Sequence, residues 1–246
     1  MIIIGRNSII EAIKKDRNLD TIYIKSGDKD ERLKYIISIA KNKKILIKEV
    51  DRKKLDTLAQ GENHQGVAAS VSEYEYYDFE KLLDDIKVNK EQSKKNFVMI
   101  LDKIEDPHNL GAIIRSAHLS GVDAIIIPNR RSANVDSTVE KVSVGATSYM
   151  KISRVTNLND TIEKLKKVGL WIYCLDMGND YYFNTDLTGD IAVVVGNEGR
   201  GVSELIRKNS DYVISIPMVG KIDSLNASVA SSIVMFEVLR QRMMIK

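Results

Sequence analysis

The chain has 246 residues, 43% hydrophobic and 29% charged. That suffices for one large or two small domains with a buried core, and it excludes a disordered or fibrous protein. A single cysteine, Cys174, excludes an internal disulfide framework, and no apolar run approaches the ~20 residues of a membrane span, so a reducing, cytoplasmic setting is expected. The net charge of +3 is unevenly spread. Residues 1–72 carry 15 Lys and Arg against 10 Asp and Glu, a net of +5, whereas residues 73–246 carry 22 against 24, a net of −2. A basic piece on a near-neutral body fits a module that meets phosphates.

The N-terminus, MIIIGRNSII, has no basic stretch ahead of its apolar run and does not read as a signal peptide. Ile2–Ile4 reads as a strand. Asn7 and Ser8 can cap a helix over Ile9–Asp16. Leu19–Lys25 alternates as a strand, and Arg32–Asn42 places Leu33, Ile36, Ile37 and Ala40 at helical spacing. Ile45–Val50 alternates again, a polar helix follows over Arg52–Ala59, and Val67–Val71 makes a last strand after a Gly-bounded turn with His64 and Gln65. The expectation is a small βαβαβ-like domain over residues 1–72. Residues 73–95 read as a linker: a short amphipathic helix over Asp78–Ile86, then a polar run up to Asn96 that holds the domain boundary.

From residue 96 the pattern is strictly α/β. Strands are expected at Phe97–Leu101, Ala124–Ile127, Met150–Ile152, Leu170–Leu175, Ile191–Val195 and Tyr212–Ile216. Helices are expected at Leu110–Leu119, Val139–Gly145, Leu158–Val168, Val202–Asn209 and Asn226–Met243. Strands alternating with helices imply a parallel sheet. Cys174 lies inside an apolar run and far in sequence from any His, so it reads as a buried strand residue.

Three clusters follow strand ends. In Asp106–Arg115, Asn109 can cap a helix or hold a ligand, Gly111 and Ala112 keep the first turn thin, and Arg115 sits near the helix start. Gly196-Asn197-Glu198-Gly199-Arg200-Gly201 is neither a dinucleotide fingerprint nor a P-loop, but three glycines in six residues indicate a sharp bend or a close ligand. Ile216-Pro217-Met218 and Ser224-Leu225-Asn226-Ala227-Ser228 open the last helix, with Ser224 or Asn226 as its cap and small residues beyond for close packing. Loops of this kind at the rim of a parallel sheet are where open α/β folds bind ligands.

Together, Asn109-x-Gly-Ala-x-x-Arg115, Gly196-Asn197-Glu198-Gly199-x-Gly201 and Ile216-Pro217-Met218 with Ser224-Leu225-Asn226-x-Ser228-x-Ala230 resemble the three ordered motifs of the SpoU (TrmH-type) RNA 2′-O-ribose methyltransferases. Ser143-x-Gly145-Ala146 resembles the same family. The segment from Gly5-Arg6-Asn7 to His64-Gln65-Gly66-Val67 resembles the small substrate-binding domain of the enzymes that methylate a guanosine in 23S rRNA.

The resemblance implies a trefoil-knotted (SPOUT-type) parallel-sheet domain over residues 96–246, working as a homodimer on RNA with S-adenosylmethionine and without a metal. It implies cofactor contacts at Gly196, Asn197, Gly201, Ile216, Met218, Leu225 and Thr147. It gives catalytic roles to Arg115, Asn109, Glu198 and Asn226. RNA contacts are expected from Arg6, Lys14, Lys15, Arg17, Lys43, Lys44, Arg130 and Arg131. Two alternatives remain open: a tRNA ribose methyltransferase of the same family, and a non-catalytic RNA-binding protein.

Overall fold

A computed structural model describes residues 2–14, 19–27, 30–71, 74–178, 180–221 and 224–244. The chain divides into two compact units, Met1–Glu75 and Tyr76–Lys246. The first contains β1 (Ile2–Ile4), α1 (Arg6–Lys14), β2 (Leu19–Lys25), α2 (Glu31–Asn42), β3 (Leu46–Val50), α3 (Arg52–Leu58) and β4 (Val67–Val71). Its sheet runs β1-β4-β2-β3, with β2 and β3 parallel and β4 antiparallel to both β1 and β2. The sheet is therefore mixed: β1, β2 and β3 share one direction, as the βαβαβ-like expectation has it, and β4 runs against them. After α3 the chain reverses through Gln60, Gly61, Gln65 and Gly66, all with positive φ, and enters the sheet centrally in the opposite sense. Leu33, Ile36 and Ala40 of α2 pack with Ile9 and Ile13 of α1 and Ile22 of β2, the core that the apolar spacing encodes.

The second unit contains α4 (Phe79–Glu91), β5 (Phe97–Asp102), α5 (Pro107–Ser120), β6 (Ala124–Pro128), α6 (Ser137–Val142), β7 (Lys151–Val155), α7 (Leu158–Lys167), β8 (Trp171–Leu175), β9 (Ile191–Gly196), α8 (Glu204–Asn209), β10 (Tyr212–Ile214) and α9 (Ala227–Met244). Six strands form one parallel sheet in the order β10-β8-β9-β5-β6-β7. Every residue of β5 and β9 is buried, as in central strands covered on both faces. The chain builds outward from β5 through β6 to β7, then returns to the other side of β5. The junction of β5 and β9, where Asp102 stands opposite Gly196, is therefore the topological switch point.

Residues 73–95 are not a linker. Leu82, Leu83 and Ile86 of α4 lie in the core beside Ile162 and Ile172. Tyr77 donates its backbone N–H to Ile152 of β7, and its hydroxyl to Asp85, which also pairs with Lys151 at 2.8 Å. That hydrogen bond to the Asp85 carboxylate raises the Tyr77 phenol to about 12. The polar run ends in Asn96, which is fully buried; its backbone and side-chain N–H groups donate to Asp190 at 2.9 Å, and its carbonyl side accepts from Asn89. Cys174 is buried, and desolvation pushes its thiol up to about 12, which makes it a poor nucleophile. Among the described residues no helix is long and apolar enough to cross a membrane.

Near the end of α9, Arg242 donates to the carbonyls of Asn96 (2.9 Å) and Gly189 (2.7 Å), just ahead of β5 and β9, and lies 5.5 Å from the Phe97 ring centroid. Burial lowers its pKa. Arg242→Ala should cost about 2–3 kcal/mol, the scale of hydrogen bonds from a charged donor, read as a lower denaturation midpoint. One guanidinium nitrogen, Nη2, makes both bonds, so Arg242→Lys should recover part of the loss through its own three N–H donors.

Candidate functional site

Three strand ends, at Leu175, Gly196 and Ile214, open onto a cavity of about 660 Å³, within the size range of small-molecule sites. One wall is the loop 196–201. It is pinched shut: Gly201 N–H donates to Asn197 O at 2.8 Å and Gly199 N–H to Asn197 Oδ1 at 2.9 Å. A Cβ at Gly196 would lie 2.2 Å from the Gly201 backbone, so only glycine permits this closure. A second wall is Ser215–Met218 with Ser224, Leu225 and Ala227. The third is Leu175–Gly178 and Tyr181, which the sequence reading missed. It follows a buried strand at the same sheet edge as the other two, and that was the available signal. Ser215 ties it to the second wall, donating its hydroxyl to Gly178 O at 2.9 Å and its N–H to Asp180 O at 2.8 Å. Asp176 and Glu198 bring two carboxylates to the lining.

At the rim, Glu198 joins three segments. Its Oε1 accepts from Asn109 Nδ2 (2.8 Å), Asn226 Nδ2 (2.6 Å) and the Ala227 N–H (3.2 Å). Asn226 Nδ2 also donates to Asn109 Oδ1 at 2.9 Å. The other face of Asn226 caps α9: its Oδ1 accepts from Ser228 N–H (2.9 Å) and Ser228 Oγ (2.6 Å). Asn226, not Ser224, thus fills the cap role. A carboxylate at the start of the 18-residue α9 also meets the positive end of its dipole. Glu198 and Asn226 are exposed and Asn109 is half-buried, so the node is open to a substrate.

Six expected cofactor residues, Gly196, Asn197, Gly201, Ile216, Met218 and Leu225, line the cavity. Thr147 does not: it is buried in a 3-10 turn, Ala146–Ser148, that packs on α5. α5 starts three residues earlier than expected, at Pro107, because Asp106 caps it by accepting from His108 N–H and Pro107 suits its first position. Asn109 is therefore within the first turn and is not the cap. Gly111 serves packing rather than a ligand, since a Cβ there would lie 2.7 Å from Val142 Cβ of α6.

Arg115 lies more than two turns into α5, not near its start. At 100° per residue it sits roughly 240° round the helix from Asn109. It is exposed on the same face as Leu119, and among the described residues nothing hydrogen bonds to it. The fold of one chain does not bring it to the Glu198 node.

Of the expected RNA contacts, Arg6 is already committed. It pairs with Asp30 at 2.8 Å, donates from Nε to Gln65 O at 2.9 Å, and its side chain is 20% exposed. It ties together the starts of α1 and α2 and the turn before β4. His64 is likewise structural, held between Asp56 (3.0 Å) and Gly66 N–H (3.0 Å). Lys14, Lys43, Lys44, Arg130 and Arg131 are exposed. Arg130 and Arg131 follow β6 and so lie at the same edge of the sheet as the cavity. Lys15 and Arg17 fall outside the described residues.

Residues 96–236 match the family model of the SpoU rRNA Methylase family. The chain belongs to that family. Its residues 2–77 also match the family model for RNA 2′-O ribose methyltransferase substrate binding. Among relatives of this SpoU-family member, a Staphylococcus aureus protein named a TrmH family tRNA/rRNA methyltransferase is 44% identical, over 98% of this chain and 96% of its own length. A Staphylococcus haemolyticus protein of the same name is 43% identical with the same coverage. Among solved structures, the SpoU methyltransferase AviRb from Streptomyces viridochromogenes in complex with AdoMet matches with a TM-score of 0.60 and 25% identity, covering 99% of this chain and 90% of that one. The A. aeolicus TrmH/SpoU tRNA modifying enzyme matches with a TM-score of 0.56 and 30% identity, covering 67% and 84%. The chain is thus an RNA methyltransferase by family.

Proposed function

We propose that the chain transfers a methyl group from S-adenosylmethionine to the ribose 2′-hydroxyl of a guanosine in 23S rRNA, in the cytoplasm and as a homodimer. The observation that carries this reading is the Asn109–Glu198–Asn226 node at the rim of a loop-walled cavity at the switch point. The residues present fit the cofactor. The pinched glycine loop offers backbone groups at close range, Ile216, Met218 and Leu225 offer apolar contacts, and the Asp176 and Glu198 carboxylates suit a cation. The loops at Gly196, Ile216–Met218 and Leu225–Asn226 are read as the knot loops. When bound, the cofactor supplies an activated methyl group on a sulfonium.

The chain's part is positioning and charge. The node orients the ribose, with Glu198 holding both asparagines. Arg115 stabilises the charge developing on the 2′-oxygen. Its guanidinium carries donors and no acceptor, so it is suited to stabilising charge rather than to removing the proton, which leaves through water or phosphate. Its separation from the node within one chain supports its delivery from a second copy. Exposed apolar side chains support that copy's docking: Leu119 on the Arg115 face of α5, Tyr149 stacked on His118 of the same helix, Val144, and Val229 and Phe236 two turns apart on one face of α9. The N-terminal unit, with its net positive charge and its substrate-binding match, grips the RNA.

The test is to delete the gene, map ribose methylation across total RNA, and restore the lost mark with the purified chain. Loss and restoration of one 2′-O-methylguanosine in 23S rRNA is expected. A lost mark in tRNA, or on a base, would overturn the assignment.

A further inference from the structure

The last residue of β5, Asp102, and the residue after it, Lys103, take no part in the proposed chemistry. Asp102 is buried, and Lys103 holds a left-handed backbone, φ +62°, without being glycine. Such a conformation persists only where its surroundings fix it. Here they are the two ends of the glycine loop. Ser203, two residues beyond the loop, donates its N–H to Asp102 Oδ2 at 2.8 Å, and its hydroxyl donates to the same oxygen. Lys103 Nζ donates to Ser203 Oγ at 2.5 Å and lies 3.8 Å from the Asp102 carboxylate. At the loop's other end, Asn197 Nδ2 donates to Lys103 O at 3.5 Å. Ser203 occupies the N-cap position of α8, where a serine hydroxyl ordinarily accepts from the helix, yet it makes no such bond. Its hydroxyl is turned instead to Asp102 and Lys103.

We propose that Asp102, Lys103 and Ser203 form a lock on the central strand that sets the shape of the 196–201 loop for cofactor binding. They are positioning residues that touch neither cofactor nor RNA, and this role rests on the reading of the cavity as the S-adenosylmethionine site. Because β5 is buried along its whole length, it is a fixed anchor, and Glu198 lies in the middle of the loop it holds.

The test compares Ser203→Ala, Ser203→Thr and Lys103→Met in the full chain, by S-adenosylmethionine titration and by kcat and the cofactor KM in methyl transfer to RNA. Ser203→Ala should raise the cofactor Kd and KM about tenfold, the scale of one charge-assisted hydrogen bond. Its kcat at saturating cofactor should change little, since bound cofactor restores the loop. Ser203→Thr keeps the hydroxyl and should return KM to near wild type. Lys103→Met alters a part-exposed side chain, folds independently of the Ser203 variants, and should shift KM in the same direction. Unchanged KM in both Ser203→Ala and Lys103→Met, no rescue by threonine, or a fall in kcat alone would each overturn the lock. Failure of the wild-type chain to bind S-adenosylmethionine would instead strike the cofactor reading, so the two failures are distinct.

Discussion

Arg115→Ala is expected to lower kcat for methyl transfer by about 10²–10³-fold or more, the loss seen when a preorganised charge-stabilising group is removed from a transition state. Cofactor affinity should stay nearly unchanged, because Arg115 does not line the cavity. Stability should also hold. Arg115 is exposed and, among the described residues, engages no partner that its loss would strand. Arg115→Lys separates two roles: partial recovery means that charge alone suffices, and none means that the planar fork is required. Subunit mixing then tests where the group comes from. In the proposed homodimer, Arg115→Ala and Glu198→Ala should each all but abolish activity. Mixed dimers should regain activity, since one of their sites combines an intact Glu198 with the other subunit's intact Arg115. Near-wild-type turnover in Arg115→Ala would end the electrostatic assignment, and no recovery on mixing would end the cross-subunit one.

The distance between Arg115 and the Glu198 node also shows what spacing in sequence conceals. Asn109 and Arg115 read as one cluster because they are six residues apart. Helical geometry turns them to different faces, and α5 begins at Pro107 rather than Leu110, which pushes Arg115 deeper into the helix. The Asp106-Pro107 pair is itself a start signal, but within a polar stretch it reads as loop. Strands β5 and β9 were legible because a strand covered on both faces needs an unbroken apolar run. The direction of β4 was not, since alternation is the same read either way along a strand. The supposed linker misled for a different reason. Asn89 and Asn96 look like loop residues, but the Asn89 amide donates to Asn96 Oδ1, and the Asn96 amide donates to Asp190 and the Ile86 carbonyl inside the fold. The pairing of Glu198 with Asn226 needs the three-dimensional path of the chain, because each alone is an ordinary turn residue.

That pairing makes Glu198→Ala the second large expected effect. One carboxylate oxygen accepts from Asn109, Asn226 and the Ala227 N–H, so its loss releases two loops and a helix start together. Methyl transfer should fall about 10²-fold or more, since groups that act as a unit fail as a unit. Thermal stability should fall by only about 1 kcal/mol or less, because Glu198 and Asn226 are exposed and water can replace their bonds. Glu198→Gln keeps an acceptor oxygen but not its charge, and a neutral acceptor is roughly half as strong. It should retain measurable turnover, with loss between those of Glu198→Ala and wild type. Asn226→Ala combined with Glu198→Ala should be markedly less than additive in activity, as coupling within one contact network requires. Additive losses, or turnover close to wild type in Glu198→Ala, would mean that the three segments meet at the rim without acting together on the ribose.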